Sequence, residues 1–275
     1  MPAFNASLYI DAAIDSIQAQ TFSEWELVIV DDGSSDTTLE IARNRQERDA
    51  RITVVTQENQ GEASARNAAL KYCRYNYTAF LDADDIWKPS FLASVYDYLS
   101  AHPELDVISC NIERLYESGE VRAQWTDSRY QGEFSLSFDD FISSSKLAMM
   151  CVVRTQLLKN IDGFPEGFKN PDYAMWLNAF YQGAQHLHIP KTLGIYRMHD
   201  SQITQDVRDI RRNDIKLLEY FSATHTLTSE QKNLFQQTIR KHKRNLLLRN
   251  LLYRLIGVER TEQIILSRRL SAESS

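Results

Sequence analysis

The sequence predicts an α/β fold with a mostly parallel sheet and helices on both faces. Short β-rich apolar runs alternate with helical patterns, and the links between them are short. The run at 27–30 is continuously apolar, as in strands that are buried on both faces. From residue 208 onward only helical patterns occur. We therefore expect an α/β domain over 1–205, followed by a helical C-terminal extension over 206–275.

The individual elements follow in order along the chain. Apolar residues at helical spacing predict an amphipathic helix over 6–20, before the strand at 27–30. Further helices are predicted over 37–48, 62–73, 90–101, 154–160 and 173–182, and further strands over 52–55, 77–81, 107–112 and 193–198. Residues 113–145 are less regular and rich in serine and aromatic residues. They are expected to form loops over one end of the sheet.

Composition excludes several classes of protein. With 275 residues, 43% apolar and 25% charged, the chain is globular rather than disordered or collagen-like. The longest apolar run has about seven residues, too few to span a membrane, and no secretory signal is seen. The three cysteines are spaced neither as metal ligands nor as a disulfide framework. We therefore expect a cytoplasmic protein.

Charge is distributed unevenly between the two predicted parts. Residues 1–205 carry 17 Lys and Arg against 29 Asp and Glu, whereas residues 206–275 carry 14 against 8. An acidic body argues against nucleic acid as a partner, because binding phosphates needs clustered cations. The basic extension is a separate feature.

Two adjacent carboxylates, Asp31 and Asp32, directly follow the strand predicted at 27–30. In open α/β sheets, ligands bind beyond the carboxyl ends of the strands. A turn with a helix cap explains the residues at 34–36 but explains the two carboxylates less easily. Carboxylates here can accept hydrogen bonds from a nucleobase or a ribose. No glycine-rich dinucleotide or P-loop motif occurs, which argues against those cofactors.

A second acidic cluster, Asp82, Asp84 and Asp85, follows the strand predicted at 77–81. Three carboxylates within four residues repel one another unless a cation is held there. Oxygen ligands without a nearby His or Cys suit Mg²⁺ or Mn²⁺, which also bind substrate phosphates. The alternative interpretation is a solvated acidic turn that caps the next helix.

Several motifs occur in a fixed order over roughly residues 2–200. They are Pro2-Ala3-Phe4-Asn5, residues 16–22, residues 26–36, residues 61–67, Asp82-Ala83-Asp84-Asp85, Ile161-Asp162-Gly163-Phe164, and Asp172 with Trp176. Together they resemble family 2 glycosyltransferases with the GT-A fold, of the bacterial type that builds surface polysaccharides. The resemblance implies a Rossmann-like sheet, a nucleotide-sugar donor with a UDP-sugar as the first expectation, and a saccharide or lipid-linked saccharide acceptor.

The resemblance also implies roles for single residues at the donor. They are Asp31, Asp32 and Arg66 at the nucleotide base, Asp82 and Asp84 as the D-x-D element, and Asp84 and Asp85 at a divalent metal, Mn²⁺ or Mg²⁺. His199 would reach the diphosphate or the metal, although a structural histidine is an equal alternative. Trp87 and Trp176 could stack on a sugar, against the alternative of core packing.

Asp172 is implied to be the catalytic base of an inverting transfer, which needs no covalent enzyme nucleophile. The family usually has a glutamate just before this base, and here Pro171 takes its place, where it can start the following helix. Asp162 is the lesser candidate for the base, and we expect it in the turn before Gly163. The rival hypotheses are a non-catalytic nucleotide-sugar-binding relative and a sugar nucleotidyltransferase, which would need a glycine-rich pyrophosphate loop.

Both ends of the chain carry an expectation. The family opens with an apolar strand before the Pro2-Ala3-Phe4-Asn5 motif, so we expect this first strand to be missing and stability to be reduced. In the extension, Leu248, Leu251, Leu252, Leu255 and Ile256 recur at helical spacing among Lys and Arg residues. This helix could lie in an anionic membrane interface at the inner face of the cell membrane, or dock on the body or on a second copy.

Overall fold

The computed structural model forms two β-sheets flanked by helices. It describes residues 1–123, 128–143, 147, 149–199, 207–258 and 260–261. The strands are β1 (Pro2–Ala3), β2 (Leu27–Asp31), β3 (Ile52–Thr56), β4 (Tyr77–Ala79), β5 (Ile86–Trp87), β6 (Val107–Leu115), β7 (Val121–Ala123), β8 (Cys151–Arg154) and β9 (His186–Arg197). The helices are α1 (Ile10–Gln18), α2 (Thr38–Arg48), α3 (Glu62–Leu70), α4 (Phe91–Ala101), α5 (Phe138–Ser143), α6 (Thr155–Asn160), α7 (Pro171–Tyr181), α8 (Val207–Thr224) and α9 (Ser229–Ile256).

The first sheet has the order β1-β2-β3 and is parallel throughout. The second has the order β4-β8-β6-β9-β5, with β7 paired to β6. Its β6–β9 ladder is parallel, whereas β4–β8, β6–β8 and β5–β9 are antiparallel. The two longest ladders, β2–β3 and β6–β9, are parallel, so the predicted α/β fold is confirmed. The antiparallel strands β5, β7 and β8 are additions that the sequence did not predict.

Local chemistry accounts for the elements that carry the site. All five residues of β2 are buried, as the continuous apolar run predicted. Helix α7 begins with Pro171 at its first position, where the missing N–H costs no hydrogen bond. Residues 113–145, predicted to be loops, also contain β7, α5 and a 3-10 helix over Ser128–Gln131.

Pro2 and Ala3 of the Pro2-Ala3-Phe4-Asn5 motif pair with β2 and form a strand of two residues. The N–H of Asp32 donates to the carbonyl of Ala3 at 2.8 Å. This strand is short, and a cavity of about 420 Å³ lies beside it. Residues 25–28 line one wall of this cavity and residues 77–81, at the edge of the second sheet, line another. Strand β2 of the first sheet and the edge strand β4 of the second sheet therefore line the same cavity.

The C-terminal helices pack into the same hydrophobic core as the preceding residues. Leu218 and Phe221 of α8 and Phe235 of α9 belong to one buried cluster with Phe141 and Tyr173. The predicted boundary between 205 and 206 lies outside the described residues, so it stays a prediction. Within the described ranges, no helix is long and apolar enough to cross a membrane.

Candidate active site

The two predicted acidic clusters lie at the carboxyl ends of β2 and β4, one strand in each sheet. Asp31 is the last residue of β2, and the acidic turn at 82–85 follows β4 within a few residues. Helix α3 supplies Arg66, which bonds directly to the first residue of that turn. The site therefore forms where the two sheets meet.

Asp31 and Asp32 have different surroundings. Asp32 accepts three hydrogen bonds, from Gln57 Nε2 at 2.7 Å and from the backbone N–H groups of Gln60 at 2.9 Å and Gly61 at 2.8 Å. Asp31 is 2% exposed, and its Oδ1 has no hydrogen-bond partner among the described residues. A buried acceptor without a partner is costly. Asp31 is therefore the carboxylate with an oxygen to offer a ligand.

Arg66 is a buried cation, 2% exposed, that draws carboxylates together. Its Nη2 donates to Asp82 Oδ1 at 2.7 Å, and Nη1 pairs with Glu62 one turn earlier on α3. Its guanidinium also lies 5.3 Å from the ring of Phe164. Burial opposes the charge, but Asp82, Glu62 and Asp172 together raise the pKa of Arg66 above its ordinary value.

Asp172 lies in the first turn of α7, close enough to Arg66 and Asp82 for their charges to act on the pKa of its carboxyl. Burial raises the pKa of its carboxyl, while Arg66 and the N–H of Tyr173 act in the opposite direction. Burial likewise raises the pKa of Glu62 to about 7, against the pull of Arg66. Carboxyls whose pKa is raised near a cleft are typical of catalytic sites. Glu62 lies in a motif that the sequence singled out, but it was given no role.

The end of β9 fastens the acidic turn in place. Arg197 donates from its backbone N–H to Asp85 Oδ1 at 3.0 Å and from Nε to the carbonyl of Asp84 at 2.9 Å. His199 Nε2 lies 2.9 Å from Asp84 Oδ2. The ring of Tyr9 stacks on His199 with centroids 4.7 Å apart. Arg197 and Tyr9 were not predicted, since their contacts depend on residues far away in sequence.

Asp84 and Asp85 differ in what they can offer a metal. Asp85 is 3% exposed and faces β9, and burial followed by the charges of Asp82 and Asp84 raises its pKa well above the ordinary value. Asp84 is more open and lies next to His199. The carboxylate suits Mg²⁺ or Mn²⁺, and His199 adds an imidazole nitrogen to what was expected to be an all-oxygen set of ligands. Because the described part of the chain holds no cluster of three or more metal-ligating side chains, a bound ion would also need phosphate oxygens.

The predicted stacking of Trp176 on a sugar is wrong for this structure. Trp176 is 1% exposed and lies in the hydrophobic core, because α7 packs almost its whole length against other helices. Trp87 is likewise buried and stacks on Phe91 at 4.3 Å. Asp162 is exposed, with φ 57°, in the turn before Gly163, as expected.

Helix α8 holds the segment that precedes Asp172. The side chain of Asn170 donates to Asp214 Oδ1 at 2.8 Å, and the N–H of Lys169 donates to Asn213 Oδ1 at 2.9 Å. The first of these contacts joins residues 44 positions apart. No sequence signal indicated it.

An α/β fold with a fastened acidic turn and a half-buried carboxyl base candidate in the first turn of α7 is typical of glycosyltransferases of the GT-A type. Residues 1–161 match the model of Glycosyl transferase family 2. The chain belongs to this family and is an enzyme of the glycosyltransferase class.

Two relatives extend the likeness beyond that match. The chain is 33% identical over 187 residues to the Escherichia coli enzyme UDP-Glc:alpha-D-GlcNAc-diphosphoundecaprenol beta-1,3-glucosyltransferase WfgD, covering 65% of this chain and 67% of WfgD. It is 27% identical over 248 residues to a Bacillus subtilis (strain 168) protein provisionally named teichuronic acid biosynthesis glycosyltransferase TuaG, covering 86% and 95%.

Two solved structures share the fold. TarS of S. aureus, in complex with UDP-GlcNAc, matches with a TM-score of 0.72 at 22% identity, over 88% of this chain and 70% of that one. The mannosyltransferase PcManGT of Pyrobaculum calidifontis, in complex with GDP-Man and Mn²⁺, matches with a TM-score of 0.68 at 16% identity, over 98% and 78%.

Proposed function

We propose that this protein transfers a sugar, with inversion, from a nucleotide-diphosphate sugar to a hydroxyl of a saccharide or lipid-linked saccharide. A UDP-sugar is the donor that we test first, because WfgD uses UDP-Glc and TarS binds UDP-GlcNAc. The product belongs to a cell-surface polysaccharide such as a capsule, an O-antigen or an exopolysaccharide. The provisional name of TuaG, in teichuronic acid biosynthesis, supports this assignment.

One observation carries the proposal: Arg66 links the acidic turn to the surroundings of Asp172. Asp82 bonds to Arg66 at 2.7 Å, and the charges of Asp82 and Arg66 both act on the pKa of Asp172. The acidic turn and the proposed base are thereby both close to the same cation. A transferase needs this proximity because the donor carbon and the acceptor hydroxyl must meet between the two.

The chemistry assigned to these residues is a single displacement. Asp172 accepts the proton of the acceptor hydroxyl while that oxygen forms a bond to the anomeric carbon. The bond from the anomeric carbon to the diphosphate breaks, and the nucleoside diphosphate leaves. The buried Oδ1 of Asp31 accepts a hydrogen bond from an N–H or O–H group of the nucleotide. Asp84 and His199 would hold a divalent metal, which when bound offsets the charge on the leaving diphosphate.

The location that we propose for this protein is the cytoplasm. Cys73, Cys110 and Cys151 all lie in the described part of the chain and form no disulfide there, and Cys110 and Cys151 are buried. A reducing compartment suits such residues.

The test uses the full chain with Mn²⁺ and a panel of UDP-, GDP- and dTDP-sugars. For Asp172→Asn we expect turnover to fall by about 10²–10⁴-fold with donor binding retained. For Asp84→Ala we expect donor and metal binding to weaken. In the wild type, kcat/KM should fall on acidification at a pH above the ordinary aspartate range, because burial raises the pKa of Asp172.

Asp162→Asn is the matched control, since it removes a nearby exposed carboxylate from a backbone conformation that asparagine tolerates. Its activity should equal that of the wild type. Turnover that survives both Asp172→Asn and Asp84→Ala would refute the assignment. A wild type that binds donor without turnover would be a non-catalytic relative, whereas pyrophosphate released from a nucleoside triphosphate and a sugar phosphate would indicate a nucleotidyltransferase.

A further inference from the structure

The C-terminal half of α9 exposes four leucines in close succession. Leu247, Leu248, Leu251 and Leu255, called here the leucine stripe, are between 52% and 69% exposed. Leucine is usually buried in folded proteins. A contiguous patch of exposed apolar side chains is typical of a surface that binds a protein, a ligand or a membrane.

The rest of the protein contacts the opposite face of α9. His242 Nε2 lies 2.9 Å from Arg211 Nη1 of α8, and the guanidinium of Arg208 lies 4.8 Å from the ring of Tyr253. Earlier on the helix, Phe235 is fully buried in the core. At 3.6 residues per turn, His242 and Tyr253 point about 180° away from the centre of the leucine stripe. One face of α9 therefore packs against the rest of the protein, and the leucine stripe lies on the opposite, exposed face.

Cations surround the leucine stripe. Residues 239–256 contain six Lys and Arg residues and no Asp or Glu. Arg240, Lys241, Arg244 and Arg254 are exposed and lie within about a quarter-turn of the centre of the stripe. Lys243 instead pairs with Glu219 of α8 at 2.6 Å. The outward face of α9 is therefore both apolar and strongly basic.

We propose that the leucine stripe, together with its exposed cations, rests on an anionic lipid surface. Helices with a basic rim and an apolar face lie in membrane interfaces, where the leucines enter the acyl boundary and the cations meet the headgroups. A second copy of this chain fits less well, because two such helices would bring their cations together without a carboxylate in residues 239–256. This membrane contact does not depend on which donor and acceptor the enzyme uses.

The experiment is flotation of the full chain with vesicles, in the absence of any substrate. One set contains equal parts of phosphatidylcholine and phosphatidylglycerol, and the other contains phosphatidylcholine alone. The protein should float with the anionic vesicles only, and less so as salt increases. The triple variant Leu247→Gln, Leu251→Gln and Leu255→Gln should lower binding by about tenfold or more. Arg240→Gln with Arg244→Gln should lower it by about fivefold for each cation.

Arg43→Gln with Arg48→Gln on α2 is the matched control, because both residues are exposed and the same charge is lost far along the chain from α9. This variant should float like the wild type. Equal flotation of all variants, or equal binding to both kinds of vesicle, would overturn the proposal. So would a wild-type dimer, seen by light scattering, that the leucine substitutions dissociate while no form binds vesicles. Donor hydrolysis without vesicles reports separately on the transferase proposal.

Discussion

Arg66 is the residue around which the candidate site is organised. A buried guanidinium without partners would cost several kcal/mol, so Asp82 and Glu62 are held beside it despite their mutual repulsion. Arg66 lies in one of the motifs that carry the family resemblance, and that resemblance implied that it helps to hold the donor. The structure adds that the same cation fixes the first carboxylate of the acidic turn and acts on the pKa of Asp172.

The adjacent carboxylates Asp31 and Asp32 should respond differently to the same substitution. Asp31→Asn should weaken binding of UDP by about 10–100-fold with little change in Tm, because a charged hydrogen bond is worth about 1.5–3 kcal/mol. Asp32→Asn should lower Tm. Asp32 accepts hydrogen bonds from three N–H donors, and the amide NH₂ of asparagine would face at least one of them without accepting its hydrogen bond. Calorimetric titration with UDP and thermal melts measure the two effects.

The two variants serve as controls for each other, since each removes one negative charge at neighbouring positions. The opposite pattern would contradict the assignment. In that case Asp32→Asn would lose UDP with an unchanged Tm, while Asp31→Asn would bind UDP normally.

At the scale of elements, β9 and α8 complete a site whose first half lies early in the chain. Arg197 of β9 is 113 residues from Asp84, to which it bonds. The sequence predicted the local features well, such as the start of α7 at Pro171 and the burial of β2. It could not predict Arg197, Tyr9 or Asp214 as partners, because their roles come from packing between distant segments and leave no periodic or turn signal.

The contact between α7 and α8 predicts a catalytic effect of a residue outside the acidic clusters. Asn170→Ala removes the hydrogen bond to Asp214 and leaves a buried carboxylate with fewer partners. Loosening the segment before Asp172 should lower kcat by about tenfold, with a smaller change in the donor KM, because misplacing a base costs rate more than ground-state binding. Steady-state kinetics on the variant measures this split.

Gln156→Ala provides the comparison, because it removes a side-chain amide hydrogen bond of the same length within α6, on an exposed surface. It should leave kcat and KM unchanged. An Asn170→Ala enzyme with wild-type kcat would show that α8 stabilises the fold without positioning the base.

At the scale of the whole molecule, the two sheets are held together by helices rather than by a shared strand. One core cluster joins α1, β2 and α4 with β6, and a second joins α5 and α7 with α8 and α9. The second cluster explains why the extension, which the charge balance marked as a separate unit, packs as part of the same body. Charge patterning reports on surfaces, and it says nothing about which apolar faces meet.

The cavity lined by β2 and β4 predicts that an added strand would stabilise the protein. The cavity of about 420 Å³ is lined by Met1, by residues 25–28 and by residues 77–81, so an apolar strand fused before Met1 would enter it beside β2. A five-residue extension, Val-Thr-Val-Ile-Val, should raise Tm by several degrees, since about 1 kcal/mol corresponds to about 2–4 °C at this size. A Gly-Ser extension of equal length should not. Equal melting temperatures for both would mean that this cavity does not accept a strand.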